Sequence, residues 1–194
     1  MKKRLLSMLL VLCLACGLLW VPAGAAQTEE TRLETVRALG ILTGDDQGNL
    51  NLSAPVTRAE FVKMMVSAST YKDSVGTGYG AALFKDVKSG HWASGYIQLA
   101  VEQGWVTGYV DGTFRPESTI TLEEACTALL RLLGYDSSSL SGTFPEAQLS
   151  KSSALGLLDD VSSSQGQKLT RQNCVDLFYN LLLASNSQGQ VYAT

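Results

Sequence analysis

The chain repeats itself. Ala38-Leu39-Gly40-Ile41-Leu42-Thr43-Gly44 and Glu102-Gln103-Gly104-Trp105-Val106-Thr107-Gly108 both place one glycine four residues before another. The register continues without a gap at an offset of 64: Gly48 falls on Gly112, Leu50 on Phe114, Val56 on Ile120, Thr57 on Thr121 and Glu60 on Glu124. A third, weaker copy repeats the first glycine in Ala154-Leu155-Gly156-Leu157-Leu158 and the later segment in Leu169-Thr170-Arg171-Gln172-Asn173. Its intervening loop is three residues shorter and lacks the aromatic residue and the proline. A repeated unit of this size is one supersecondary element that cannot bury its apolar face alone, so the copies must pack on one another.

Each unit reads as helix, structured loop, helix. The spacing predicts first helices near 29–39, 91–103 and 146–155. Leu33, Val36 and Leu39 form the apolar face of the first, and Trp92, Tyr96, Ile97, Ala100 and Val101 that of the second. Second helices are predicted to begin at Thr57, Thr121 and Thr170. Their apolar faces are Phe61, Met64, Met65 and Ala68; Leu129, Leu130, Leu132 and Leu133; and Leu177, Phe178, Leu181 and Leu182. Gly40 and Gly104 sit where a helix ends in a left-handed residue. Asp111-Gly112 is a turn pair, and Phe114 and Leu50 can pin their loops to the core. Thr57-Arg58-Ala59-Glu60 and Thr121-Leu122-Glu123-Glu124 both fit the capping box, whereas Thr170-Arg171-Gln172-Asn173 closes on a less suitable residue. The resulting fold class is all-α, built from three helix-loop-helix repeats.

The first residues stand apart from the repeats. Lys2-Lys3-Arg4, the apolar run from Leu5 to Trp20 and the small residues Ala23-Gly24-Ala25 read as a secretory signal peptide over residues 1–25, cleaved near Ala25 or Ala26. The run is short for a retained membrane anchor. A lipoprotein reading through Cys16 is disfavoured because Cys13 stands where leucine is usual. Cleavage removes three cations and takes the formal charge from −3 to −6. That argues against a nucleic-acid partner, which would call for a basic face. Cys126 and Cys174 then remain, each among apolar neighbours, and read as buried free thiols rather than a pair. His91 is the sole histidine, so zinc-ligand spacing does not occur.

The middle unit carries a resemblance. Phe84-Lys-Asp86-Val87, His91-Trp92-Ala93, Ile97, Ala100, Gly104, Gly108-Tyr109-x-Asp111-Gly112-Thr113-Phe114-x-Pro116, Ile120-Thr121 and Arg131-Leu-Leu-Gly134-Tyr135 resemble a full S-layer homology (SLH) motif. The first unit resembles the second half of that motif, from Leu39 through Glu60, and the third is degenerate. The expected organisation is a first, partial repeat at 29–70, a glycine-rich linker at 71–82, a full repeat at 83–136, a degenerate repeat at 143–185 and a polar tail at 186–194.

The resemblance implies a pseudo-threefold spindle around a central helical bundle. It also implies a job: grooves between the prongs bind an anionic secondary cell-wall polysaccharide, often carrying pyruvylated amino sugars. The exported protein is thereby held non-covalently on the Gram-positive cell surface, with no membrane contact after signal cleavage. An S-layer or cargo protein is a further partner in such systems. The family's helix-start arginine matches Arg58 and Arg171, while the second unit has Leu122 there. A guanidinium at a helix N-terminus can grip a carboxylate in two places, and helix N–H groups add to the field. Trp92 matches a tryptophan that can stack on a sugar face, and Asp111 and Gly112 match loop residues near the groove. Loop backbone at Gly44, Gly108 and Gly112 is expected to shape the grooves.

Local readings stand beside these. Arg58 and Arg171 also read as solvated first-turn residues, although a cation there opposes the helix dipole. Trp92 fits a core position as well as a stacking one, and Asp111 fits a purely turn-forming role. Gly44-Asp45-Asp46-Gln47-Gly48-Asn49-Leu50-Asn51 lacks the regular acidic spacing and terminal glutamate of a calcium loop. No nucleophile stands in a recognisable context, so neither a cofactor nor an enzymatic activity is expected. The alternative function is a helical-repeat module for protein contact or S-layer assembly that has lost glycan binding.

Overall fold

The computed structural model describes residues 23–75, 82–162 and 164–193. The expected signal segment lies almost wholly outside the described residues, as does the glycine-rich centre of the expected linker. The described residues hold six α-helices: α1 (Ala23–Ala38), α2 (Arg58–Ser67), α3 (Ser94–Glu102), α4 (Leu122–Leu132), α5 (Glu146–Ala154) and α6 (Arg171–Leu183). Short 3-10 turns occupy Lys72–Ser74 and Ser137–Ser139. β-structure among the described residues is confined to isolated bridges. The chain is all-α, and none of its described helices is long and apolar enough to cross a membrane. The chain divides into two compact units, residues 1–31 and 32–194, and the loops, joints and clefts of the repeats lie in the larger one.

The second helices start where the sequence places them. At α2, Thr57 Oγ1 accepts from the Glu60 N–H at 3.2 Å, and Glu60 Oε2 accepts from the Thr57 N–H at 2.8 Å. At α4, the Thr121 N–H donates to Glu124 Oε2 at 3.1 Å. At α6 the box closes as well: Thr170 Oγ1 accepts from Asn173 N–H at 3.3 Å, and Asn173 Oδ1 accepts from Thr170 N–H at 3.0 Å. The shorter amide reaches because N-cap and N3 face each other across one turn. Such caps contribute about 1 kcal/mol each. Gly40, Gly104 and Gly156 adopt φ of 71°, 72° and 75° just beyond α1, α3 and α5. The third repeat therefore keeps the helix stop even though its loop has diverged.

The joints between repeats are made by backbone. Ile120 N–H donates to Val56 O at 3.0 Å, Leu169 N–H to Ile120 O at 3.1 Å, and Val56 N–H to Leu169 O at 2.9 Å. The three bonds close a ring through all three repeats, and its members are buried. The next position out repeats the pattern. The Arg58, Leu122 and Arg171 N–H groups donate to Ser118 O, Gln167 O and Ala54 O at 2.9, 2.8 and 2.9 Å. Across the joints, α2 packs against α3 and α4, and α4 packs against α5. The second helix of one repeat thus packs on the first helix of the next.

The core combines Phe61, Met65, Ile97, Phe114, Leu129, Leu130, Leu177 and Phe178, all essentially inaccessible. Phe61 and Phe178 approach to 5.3 Å between ring centres, joining α2 to α6, and each ring contributes about 1.5–3 kcal/mol by burial. Two expected core positions are not core. Leu39 lies past the end of α1 and is half exposed. Trp92 lies before α3 rather than on it and is 53% exposed. The helix starts later than His91 because the His91 side chain takes the Ala93 N–H on Nδ1 at 3.1 Å, and the chain turns there before coiling.

Cys126 and Cys174 are both free and buried. Burial pushes the Cys126 thiol up to about 11 and raises Cys174 further in the same direction. Reactivity follows the thiolate. Both thiols are expected to resist a disulfide-exchange reagent at pH 8 in the native chain and to react at once in denaturant. Rapid labelling of either in the folded state would contradict this packing.

Candidate functional site

The loops of the first two repeats share one backbone design. The Tyr109 N–H donates to Thr113 O at 2.8 Å and the Gly112 N–H to Tyr109 O at 3.0 Å. The equivalent pairs 64 residues earlier are Asp45 N–H to Asn49 O at 3.0 Å and Gly48 N–H to Asp45 O at 2.8 Å. Different side chains fix the two turns. Asp111 accepts from the Thr113 hydroxyl at 2.6 Å, the Thr113 N–H at 3.0 Å and Arg115 at 3.1 Å, which together hold its carboxyl down at about 2. In the first loop, where Gln47 stands at that position, Asp45 takes over. It accepts from the N–H groups of Gln47 and Asn49 and from the Asn49 and Asn51 amides.

Gly44 and Gly108 permit close approach. A methyl at Gly44 would come within 2.8 Å of the Gly48 carbonyl carbon. One at Gly108 would overlap the Phe84 ring and stand 2.9 Å from Thr113 O.

Each of these two loops forms one wall of a cleft. The first cleft, about 230 Å³, is lined by Arg58, Trp105, Gly108, Tyr109, Glu124 and Phe144, among others. The second, about 330 Å³, is lined by Thr43, Gly44, Glu60, Lys63, Trp92 and Arg171, among others. The correspondence is close: Arg58 with Arg171, Gly108 with Gly44, Glu124 with Glu60, and Phe144 with Trp92. Phe144 and Trp92 each stand two residues before the first helix of their repeat, and they are 62% and 53% exposed. Each cleft thus draws an arginine from one repeat, a loop from the next and an exposed aromatic residue from the third.

The helix-start arginines are built into the joints. Arg58 is buried, at 8% exposure. Its Nε donates to Phe114 O at 3.0 Å and its Nη1 to Glu124 Oε1 at 2.9 Å. Its guanidinium carbon lies 4.6 Å from the Phe114 ring centre and 5.0 Å from that of Tyr109. The Tyr109 hydroxyl donates to the same Glu124 oxygen at 2.8 Å; burial, then that bond, raise the phenol's pKa. Arg171 repeats the arrangement. Nε donates to Leu50 O at 2.6 Å and Nη2 to Thr43 O at 2.5 Å, with Glu60 Oε1 3.8 Å from Nη1. The helix N–H groups expected to add to an anion's field are also occupied. The first two of α2 go to Ser118 O and Pro116 O, and those of α6 to Ala54 O and Leu52 O.

The remaining joint differs. Leu122 fills the arginine position and is fully buried, and the neighbouring Glu123 accepts from the Gly166 N–H at 2.8 Å. That helix start has an apolar side chain where the other two have a guanidinium. Of the residues singled out from sequence, Arg58, Arg171, Trp92, Gly44 and Gly108 line the two clefts. Asp111 and Gly112 line neither; they hold the turn behind the wall. Phe144 was missed because Thr143-Phe144-Pro145 shares no letters with His91-Trp92-Ala93. Its distance from the helix start was the one available signal.

Arg58→Ala is expected to destabilise the fold by about 3 kcal/mol, because it takes the counter-ion from Glu124 and the donor from the Phe114 carbonyl. Arg58→Lys should recover little, since a point charge cannot reproduce the guanidinium fork. Urea denaturation checks both, and a wild-type midpoint for Arg58→Ala would remove Arg58 from the joint.

The S-layer homology domain model matches residues 26–62 and 83–126. The first match begins inside α1 and runs through the start of α2. The third repeat lies outside both matched regions. The "Middle cell wall protein" of Brevibacillus brevis is 30% identical over 142 residues, covering 73% of this chain and 13% of that protein. The "Surface layer protein" of Brevibacillus choshinensis is 29% identical over 139 residues, 72% of this chain and 12% of its own length. The "Cellulosome-anchoring protein" of Acetivibrio thermocellus is 32% identical over 94 residues, 48% of this chain and 21% of its own. The chain thus spans about an eighth of the first two relatives. With both matched regions falling on its repeats, the chain belongs to the S-layer homology domain family.

Proposed function

We propose that this chain is a non-catalytic module that anchors an exported protein to the cell surface by holding an acidic cell-wall polysaccharide in its two clefts. The observation that carries the reading is the pair of equivalent clefts, each with an exposed aromatic lip, a glycine-lined wall and a cationic face. Sugar rings stack on aromatic faces through their C–H surfaces, and Trp92 and Phe144 offer such faces to solvent. The close backbone approach at Gly44 and Gly108 fixes the path of each wall, since the loop packs on Gly48 and on the Phe84 ring with no space for a side chain between. The names of the relatives, a cell-wall protein, a surface-layer protein and a cellulosome-anchoring protein, support a place at the cell surface. The signal segment over residues 1–25 is part of the same proposal, as is a pyruvylated amino sugar as the acidic unit. So is a pseudo-threefold arrangement, which the closed ring through Val56, Ile120 and Leu169 supports. The third joint, with Leu122 and Glu123, is assigned a structural part only.

Co-sedimentation of the purified chain with cell-wall sacculi tests the reading, before and after acid stripping of the wall polymer. Retention should vanish on stripping. Trp92→Ala and Phe144→Ala should each weaken it about tenfold with little change in stability. Failure to sediment with intact sacculi, together with recovery of a protein partner from wall-free extract, would favour the protein-contact alternative.

A further inference from the structure

We infer that the seam between α4 and α5 holds one small monovalent cation, bound by oxygens of Glu123, Gln148 and Ser152. These residues line neither cleft, and the assignment does not depend on the wall-binding reading. Comparison of the repeats shows what is unusual about this seam. Where α2 packs on α3, the inner positions are Ala59 and Val62 on one helix and Tyr96 and Ala100 on the other. The same places, reckoned from the helix-start residue and the helix-stop glycine, are Glu123, Cys126, Gln148 and Ser152 between α4 and α5. A largely apolar contact has become a carboxylate, a thiol, an amide and a hydroxyl, and all four are buried.

Three of these groups also lack partners. Glu123 Oε1 accepts from the Gly166 N–H at 2.8 Å. Among the described residues, Glu123 Oε2, Gln148 Oε1 and Ser152 Oγ are buried without a hydrogen bond to any protein oxygen or nitrogen. Buried polar atoms are nearly always satisfied, so three orphans on one pair of packed helices call for a common ligand. Gln148 and Ser152 are four residues apart and share a face of α5. Cys126 links them to Glu123. Burial raises its thiol to about 11, contact with the Ser152 hydroxyl draws it down, and the Glu123 charge pushes it up. The thiol therefore stands within reach of oxygens from both helices.

Charge decides what the ligand is. Among the described residues, Glu123 enters no ion pair. It stands in the first turn of α4, where the helix field favours an anion but leaves Oε2 without a partner. On α1 the position matching Gln148 is Arg32, whose guanidinium bonds Asp160 and reaches Asp176 at 3.4 Å. That repeat carries its own counter-ion; the α4–α5 seam has the acid and a neutral amide where the guanidinium would be. A carboxylate, an amide carbonyl and a hydroxyl are hard donors with a single negative charge, which suits a sodium-type ion. Calcium takes about six to eight oxygens and magnesium a near-ideal octahedron, more than these three side chains supply. The raised Cys126 thiol stays protonated, so a thiolate-seeking metal does not fit.

The test is thermal unfolding of the purified chain in sodium chloride and in choline chloride at equal ionic strength, choline being too large for the seam. The parent should melt about 3 °C higher in sodium, with a midpoint that climbs as sodium is added. Glu123→Gln keeps an acceptor for the Gly166 N–H and removes the charge, so its midpoint should be the same in both salts. Gln148→Arg puts a guanidinium where Arg32 has one and should also lose the sodium increment. Crystals of the parent grown with thallium(I) should show an anomalous peak about 3 Å from Glu123 Oε2. Equal parent midpoints in the two salts, or an increment that survives Glu123→Gln, would overturn the assignment. So would a parent midpoint that rises on acidification and ignores sodium, because a proton would then occupy the seam. None of these readouts involves the wall polymer, so their failure is distinct from a failure to sediment with sacculi.

Discussion

The ring of three backbone hydrogen bonds through Val56, Ile120 and Leu169 is the constraint from which the remaining geometry derives. Each of these residues lies just ahead of a second helix, so closing the ring fixes the starting points of α2, α4 and α6 relative to one another. Each helix's first N–H then meets a carbonyl of the next repeat. A helix end buried without partners would be costly. Here the neighbouring repeat supplies them, and no water or ligand is required. The same contact brings the helix-start side chain against the neighbour's loop. That is how Arg58 and Arg171 come to donate to carbonyls more than fifty residues away in sequence.

Function, on this account, is a by-product of imperfect repetition around a regular centre. Two joints receive an arginine and open into clefts with an aromatic lip. The third receives Leu122 and a glutamate that ties down Gly166. The two open clefts are not copies in their charge. The first is dominated by apolar groups around the Arg58–Glu124–Tyr109 cluster. The second has Asp45, Asn49 and Asn51 at its rim and Lys63 on its wall. A polymer lying across both would meet one surface that reads shape and another that reads polarity. Electrostatics at such sites sets specificity and salt dependence more than raw affinity.

Much of the scaffold was legible in the sequence. The offset of 64 aligned the loop turns residue for residue, down to the left-handed Asn51 and Arg115 at the same place in each. The Thr-x-x-Glu boxes located two helix starts, and the third held even with Asn173. What could not be read is what depends on long-range partners. Nothing local marks Glu124 as the mate of Arg58, so a keystone looked like a free cation. Trp92 looked like part of a helical face because the His91 side chain, which delays the helix, is invisible to periodicity. Phe144 was overlooked because its equivalence to Trp92 is one of position and not of residue type.

Native-state hydrogen exchange of the Val56, Ile120 and Leu169 amides tests the central claim most directly. If the ring is the closure on which all three repeats depend, the three amides should exchange only through global unfolding, with one common free energy that matches the denaturant value. If one of them exchanges faster through a local opening that leaves the other two protected, the ring is not a single cooperative unit. The account of the clefts as products of that closure would then be wrong.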